Sequence, residues 1–189
     1  MTVCIEQGHI VGIPEADDLS GAARISLAIM SSTDTFDMIS GGVLDLALLG
    51  MGKTDATGAI NVNHLGAVVG LGGFIDIAQN AERLVFCGTF TARGLRLSIT
   101  DNELMIEQEG DIPKFVGAVR AATLHAASPA CRASSVAWVT ERAVFELTSA
   151  QIQLTEIAPG VPADEITRHM GFAPLIVAPR TMDSELFRD

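Results

Sequence analysis

The chain has 189 residues, of which 48% are apolar and 5% aromatic, with no tyrosine and a formal net charge of −11. So acidic a chain offers no basic face for a nucleic-acid backbone or an anionic membrane surface, and so aliphatic a chain is not a disordered one. Its apolar stretches are broken by Asp, Asn or paired Gly before they could span a bilayer, and Met1 leads straight into TVCIEQ without a leader-like run, so a cytoplasmic location is expected.

In chain order, Val3–Ile5 reads as a strand that delivers Glu6 to a glycine turn at Gly8. Leu44–Leu49 and Leu84–Cys87 are nearly continuous apolar runs, the pattern of strands covered on both faces. Between them, Ile75–Ala81 reads as a short helix after Gly72-Gly73. Arg96–Thr100 and Leu104–Glu107 alternate around Asp101-Asn102, a hairpin signal. Phe115–Ala122 is ambiguous between helix and strand. Strands follow at Val136–Thr140, Val144–Leu147 and Gln153–Ile157. In VPADEITRHMGF, Pro162 and Asp164 start a helix that Gly171 stops, with His169 in its last turn. No linker appears, so one α/β domain over residues 1–189 is expected, with a mostly parallel sheet, flanking helices and a β-hairpin.

Several motifs invite chemistry. Cys4, Cys87 and Cys131 are far apart and form no CxxC pair; they read as buried reduced thiols, not as zinc ligands or a disulfide. His9, His64, His125 and His169 show no metal spacing, so no metal is expected. GMGKT, Gly50 to Thr54, looks like the end of a phosphate loop. However, Ala47 stands where its first glycine belongs, and DATGAINVN reads as turn and strand where a helix is required. GLGGFIDIAQNA lacks a third glycine at Ile75, which weakens a dinucleotide site. It leaves either a tight turn or a place where backbone amides meet an anion. Gly41 and Gly42 precede a strand, and Asn61 and Asn63 offer amides; each type is more often found at turns and strand ends. Glu141, beside Arg142, reads as a partly exposed ion pair or a satisfied buried pair and ranks below Glu6 as a nucleophile, because glycine follows Glu6 and leaves room for substrate.

Seven ordered runs carry a more specific signal: CIEQGHIVGIP, FDMISGGVLDLALLG, GAINVNHLG, GLGGFIDIAQNAERLVFCGTFTARGL, EGDIPKFV, VAWVTERAVFEL and LTEIAPGVPADEITRHMGFAP. Together they resemble the glutamate-dependent, family I coenzyme A transferases, in particular the C-terminal (beta-type) half of short-chain acetate, propionate and acetoacetate CoA-transferases. The resemblance implies a sugar-phosphate-isomerase-like α/β fold and the transfer of CoA between a short-chain acyl-CoA and a carboxylic acid. Glu6 becomes the covalent nucleophile, carrying CoA as a glutamyl thioester. Asn61, Gly72 and Gly73 become oxyanion or substrate-binding groups, and Gly41 and Gly42 line the CoA cleft. No cofactor is implied beyond the CoA thioester substrate. The resemblance also implies a complementary subunit or N-terminal half, and a homo- or hetero-oligomer. The sequence departs from the family pattern at Val11-Gly12-Ile13-Pro14, where Gly-Gly-x-Pro is usual, and at Ser40 and Val43 around the glycine pair. Other readings are a non-catalytic CoA-ester-binding or assembly module, and an acyl-CoA hydrolase.

Overall fold

The computed structural model describes residues 2–16, 19, 21–63, 70–149 and 151–188. Its centre is a six-stranded mixed sheet built from β1 (Ala47–Gly50), β2 (Arg83–Cys87), β3 (Ser135–Val139), β4 (Ala143–Leu147), β5 (Ile152–Ile157) and β6 (Leu175–Thr181). The spatial order follows the chain order. β1, β2 and β3 are parallel, β4 runs antiparallel to both its neighbours, and β6 is parallel to β5. Gly50, Cys87 and Val139 lie in register, so the three parallel strands end together. In open α/β sheets the crevice beyond such carboxyl ends is the usual ligand position.

Among the described residues three α-helices accompany the sheet: α1 (Ser32–Ser40), α2 (Phe74–Asn80) and α3 (Ala163–Arg168). Phe74, Ile77 and Ala78 of α2 join Ala47, Leu84 and Phe86 in the core. An aromatic path continues from Phe74 to Phe86 at 6.1 Å and from Phe86 to Trp138 at 5.9 Å. A second group stacks Phe115 between Phe90 at 5.0 Å and Phe145 at 4.7 Å.

The sheet differs from expectation in one respect. Double coverage was expected for Leu44–Leu49 and Leu84–Cys87, but both strands alternate. Leu84 and Phe86 are buried, whereas Leu48 is 65% exposed and Cys87 is exposed. β1 is an edge strand, and α2 packs on one face only, so the described elements leave the other face partly open. The thiols are free but not buried as expected: Cys87 is exposed, and Cys4 and Cys131 are half-buried.

Other expectations resolve locally. The hairpin forms with Thr100 opposite Glu103, and Asp101 and Asn102 take φ of 54° and 59°, the geometry of a two-residue primed turn. Val3–Ile5 is not a sheet strand: Cys4 bridges Ile10 in a small N-terminal hairpin. Residues 115–122 are neither helix nor strand apart from a Thr54–Phe115 bridge. Lys53–Thr54 is itself a short strand, antiparallel to Ala59–Asn61, so no helix follows the GMGKT run. Two elements carry little periodic signal. α1 is rich in Ser, Thr and Asp, and its legible mark is the cap, where Ser31 Oγ accepts from Asp34 N at 3.1 Å. β6 contains Pro179, which an edge strand tolerates.

Candidate active site

Glu6 sits at the tip of the N-terminal hairpin. The Ile5 carbonyl accepts from Gly8 N at 2.8 Å, and Ile5 N donates to the His9 carbonyl at 2.9 Å, closing a three-residue loop of Glu6, Gln7 and Gly8. Gly8 has φ of +93°, and a Cβ there would collide with the Met30 carbonyl oxygen. This glycine is needed both for its left-handed backbone and for close approach to the chain entering α1.

The loop places the Glu6 carboxylate against the turn that opens α2. Gly73 N donates to Glu6 Oε1 at 2.9 Å. Gly72, with φ of +53°, passes so close that a Cβ would lie 3.0 Å from Oε1. At Gly73 a Cβ would overlap the Phe36 ring of α1 and come within 3.2 Å of Glu6 Cδ. α2 precedes β2 and Phe74 packs on Phe86 near the end of β2, so this site lies at the carboxyl end of the parallel strands. Glu6, Gly72 and Gly73 are therefore brought together, although 66 residues of sequence separate the first two.

The other candidates have hydrogen-bond partners of their own. Gly41 and Gly42 end α1: Gly41 N donates to Asp37 O, and Gly42, with φ of +85°, donates to Ile39 O. That gives them a helix-stopping role independent of any ligand. Asn61 is buried, and its Nδ2 donates to the carbonyl of Ala121 at 2.5 Å and to Asn63 Oδ1 at 3.3 Å. Its amide thus ties the Ala59–Asn61 strand to the loop at 121. His64, and the His-Leu-Gly end of GAINVNHLG, lie outside the described residues.

A second polar centre contains the Glu141–Arg142 ion pair and extends it to Glu109. Arg142, in the β3–β4 turn, is fully buried. Its Nη1 and Nη2 donate to the two Glu109 oxygens at 2.6 and 3.1 Å, and its Nε donates to Glu141 Oε1 at 2.7 Å. Glu141 Oε2 accepts from Phe90 N at 2.8 Å, and the guanidinium lies 4.8 Å from the Phe90 ring centre. Thr91 Oγ1 also donates to Glu109. Burial raises the Glu109 pKa, but hydrogen bonds from Arg142 and Thr91 and the charges of Arg142 and His169 outweigh it and hold the carboxyl below its ordinary range. Glu141 is thus a satisfied structural acid. Ligand atoms of Glu109, Glu165 and His169 lie within 4.8 Å of one another, but Glu109 is committed to Arg142. The sequence signal for this centre was the EGDIPKFV run, which begins with Glu109.

Asp55 is a third anchored acid. It accepts from Thr57 Oγ1 at 2.6 Å, Thr57 N at 3.0 Å and Val119 N at 2.8 Å. Burial raises its pKa, and these bonds more than reverse the effect. Among the described residues no helix is long and apolar enough to cross a membrane.

No family model matches the chain. It is 38% identical over 188 residues to acetate CoA-transferase YdiF of Escherichia coli (strain K12), covering 98% of this chain and 35% of that protein. It is 34% identical over 197 residues to caffeate CoA-transferase of Acetobacterium woodii, covering 100% of this chain and 37% of that one. The crystal structure of the YdiF apoenzyme from E. coli O157:H7 matches with a TM-score of 0.91 and 37% identity, over 100% of this chain and 36% of that chain. A thioester complex of the same enzyme with CoA matches at 0.89 and 36% identity, over the same shares. The chain spans about a third of the length of the curated relatives it matches. By sequence and fold it is similar to CoA-transferases over a segment of about a third of their length.

Proposed function

We propose that this chain supplies the covalent nucleophile of a reaction moving CoA between a short-chain acyl-CoA and a carboxylic acid, with a complementary part providing the remaining wall of the cleft. The observation that carries the reading is the hydrogen bond from Gly73 N to Glu6 Oε1 at 2.9 Å, in a turn with no room for a side chain.

The chemistry proceeds as reversible acyl exchange. A Glu6 carboxylate oxygen attacks the thioester carbonyl; the C–S bond breaks, CoA thiolate leaves, and a mixed anhydride remains. The thiolate then attacks Glu6 Cδ, the original acid departs as its carboxylate, and Glu6 holds CoA as a thioester. An acceptor carboxylate attacks that thioester, and the same two steps run in reverse to release acyl-CoA and free Glu6. Two of the four attacks occur at Glu6 Cδ itself. In those, negative charge develops on the glutamyl oxygen, where the Gly73 N–H already points. One such preorganised donor is worth about 10²- to 10³-fold in rate. The reaction needs no metal or redox group. Binding of the remote part of CoA would be used to lower the barrier of the acyl steps.

The test is intact mass spectrometry after incubating the chain and its complementary part with acetyl-CoA. The expected result is one CoA added, mapped to Glu6 and absent from Glu6→Ala. An unchanged mass, or an adduct that survives Glu6→Ala, refutes the reading. Release of thiol without an acceptor acid identifies a hydrolase instead.

A further inference from the structure

We infer that the β-ribbon formed by residues 9–14 and 23–29 is the docking surface for the complementary part of the enzyme, and that docking there holds the Glu6 loop in place. The inference rests on the proposed function for the identity of the partner, but the surface is argued from the ribbon alone.

The sequence RISLAI places Ile25, Leu27 and Ile29 at alternate positions, the pattern of a strand with one buried face. In the structure these three side chains are 85%, 79% and 70% exposed. The paired strand adds Val11 and Ile13, also exposed. Five exposed apolar side chains on two short neighbouring ladders are what an interface looks like before its partner arrives. A two-stranded ribbon of this kind is only marginally stable by itself.

The backbone is consistent with this. Ile10 pairs with Ala28 and Ile13 with Arg24, so two residues on one strand face three on the other, a bulge. Val11 and Ile25, both in the bulge, have φ of 60° and 57°. β-branched residues rarely hold that conformation unless surrounding contacts impose it. Around Ile25, at 85% exposure, the described residues supply almost none.

The ribbon is also continuous with the site. The strand beginning at His9 is the second arm of the Glu6 hairpin, and His9 Nδ1 is 2.8 Å from Ser26 Oγ on the opposite strand. A surface pressed onto Leu27 and Ile29 would therefore brace the base of the loop whose tip carries Glu6. The relatives supply a candidate for that surface, since nearly two thirds of their length lies outside the match. A second copy of this chain is disfavoured, because it would bring together two molecules of net charge −11.

The test co-expresses this chain with the tagged, unmatched part of E. coli acetate CoA-transferase YdiF. The complex is purified through the tag, its stoichiometry read by native mass spectrometry, and CoA adduct formation measured on it. The expected result is a one-to-one complex whose yield falls at least tenfold with Ile25→Asp and with Leu27→Asp. Met105→Asp, on the exposed side of the distant-in-sequence hairpin, should leave the yield unchanged. Circular dichroism of the variants alone should match the parent, since the altered side chains are exposed. No complex, a complex indifferent to the ribbon variants, or a homodimer of this chain that Leu27→Asp dissolves, overturns the inference. Glu6→Ala separates the two proposals: it should keep the complex and lose the adduct. A complex without adduct refutes the catalytic reading alone, and an adduct in a complex indifferent to the ribbon variants refutes the docking surface alone.

Discussion

Gly73→Ala is the sharpest probe of how the Glu6 loop is built. Gly73 has φ of −83°, which any residue adopts, so the substitution carries no backbone strain and its cost is steric. The new Cβ would lie well inside 3.0 Å of Phe36 Cζ and Cε1, and 3.2 Å from Glu6 Cδ. Carbon atoms rest at about 3.5–4.0 Å, so the Phe36 ring must retreat by roughly 1 Å or more. An aromatic ring held between α1 and the start of α2 cannot bend away as a flexible chain end would. Overpacking of this kind costs about 1–3 kcal/mol, or about 2–12 °C in Tm for a domain of this size. Urea unfolding followed by Trp138, the single tryptophan and fully buried, measures it directly. Gly50→Ala is the control, because a Cβ there meets nothing within 4 Å. Combining Gly73→Ala with Phe36→Ala should recover part of the loss, with a coupling of about 0.5–3 kcal/mol. If Gly73→Ala stays within about 0.5 kcal/mol of the parent, or Gly50→Ala costs as much, the packing of Phe36 and Glu6 around this glycine is wrong.

Arg142→Met should destabilise the chain by about 3–5 kcal/mol in urea, because it strands Glu109 and Glu141 without their buried partner. Glu109 and Asp55 both have folded pKa values held below the ordinary range, so in mild acid the unfolded chain binds more protons than the folded one. The stability these acids contribute is complete above the ordinary carboxylate range and is lost as pH falls below about 4 through their folded values. Urea midpoints measured against pH should show that slope, and it should shrink in Arg142→Met. Asn102→Gly should be neutral or stabilise by up to about 1 kcal/mol, since Asp-Gly suits the two positive φ values of this turn; a lower Tm would contradict the primed-turn geometry. Thr54 Oγ1 is buried without a hydrogen-bond partner among the described residues, so Thr54→Val should raise the unfolding free energy measured in urea by about 1 kcal/mol. A loss of more than that would mean the hydroxyl is satisfied.

Local features were legible because local chemistry determines them. Asp101-Asn102 between alternating arms can do little but turn, and Pro162 ahead of a polar-apolar period opens α3, although α3 ends at Arg168 with His169 as its cap and not at Gly171. The pairing of Glu6 with Gly72-Gly73 was reached through the resemblance, since nothing within either segment names the other. Of the Arg142 centre only the adjacent Glu141 was legible; Glu109 lies 33 residues upstream and His169 27 residues downstream, and nothing local names them. Asn61 shows the converse. An amide that could orient a substrate also pins Ala121, a partner 60 residues away that nothing in GAINVN names. The apolar pattern was misread for a deeper reason. Alternation and continuity in a strand record which side chains must leave water, but not which chain covers them. Leu48 on β1 and Ile25, Leu27 and Ile29 on the ribbon are written as buried residues and stand exposed in this structure. At about 25 cal/mol per Å² of apolar surface, leaving such side chains in water forgoes about 1.5–3 kcal/mol for each large one, more than a marginally stable domain can forgo several times over. The same accounting that makes the core of Leu84, Phe86 and Trp138 stable therefore makes the ribbon a surface built for contact, and places that contact at the base of the loop that carries Glu6.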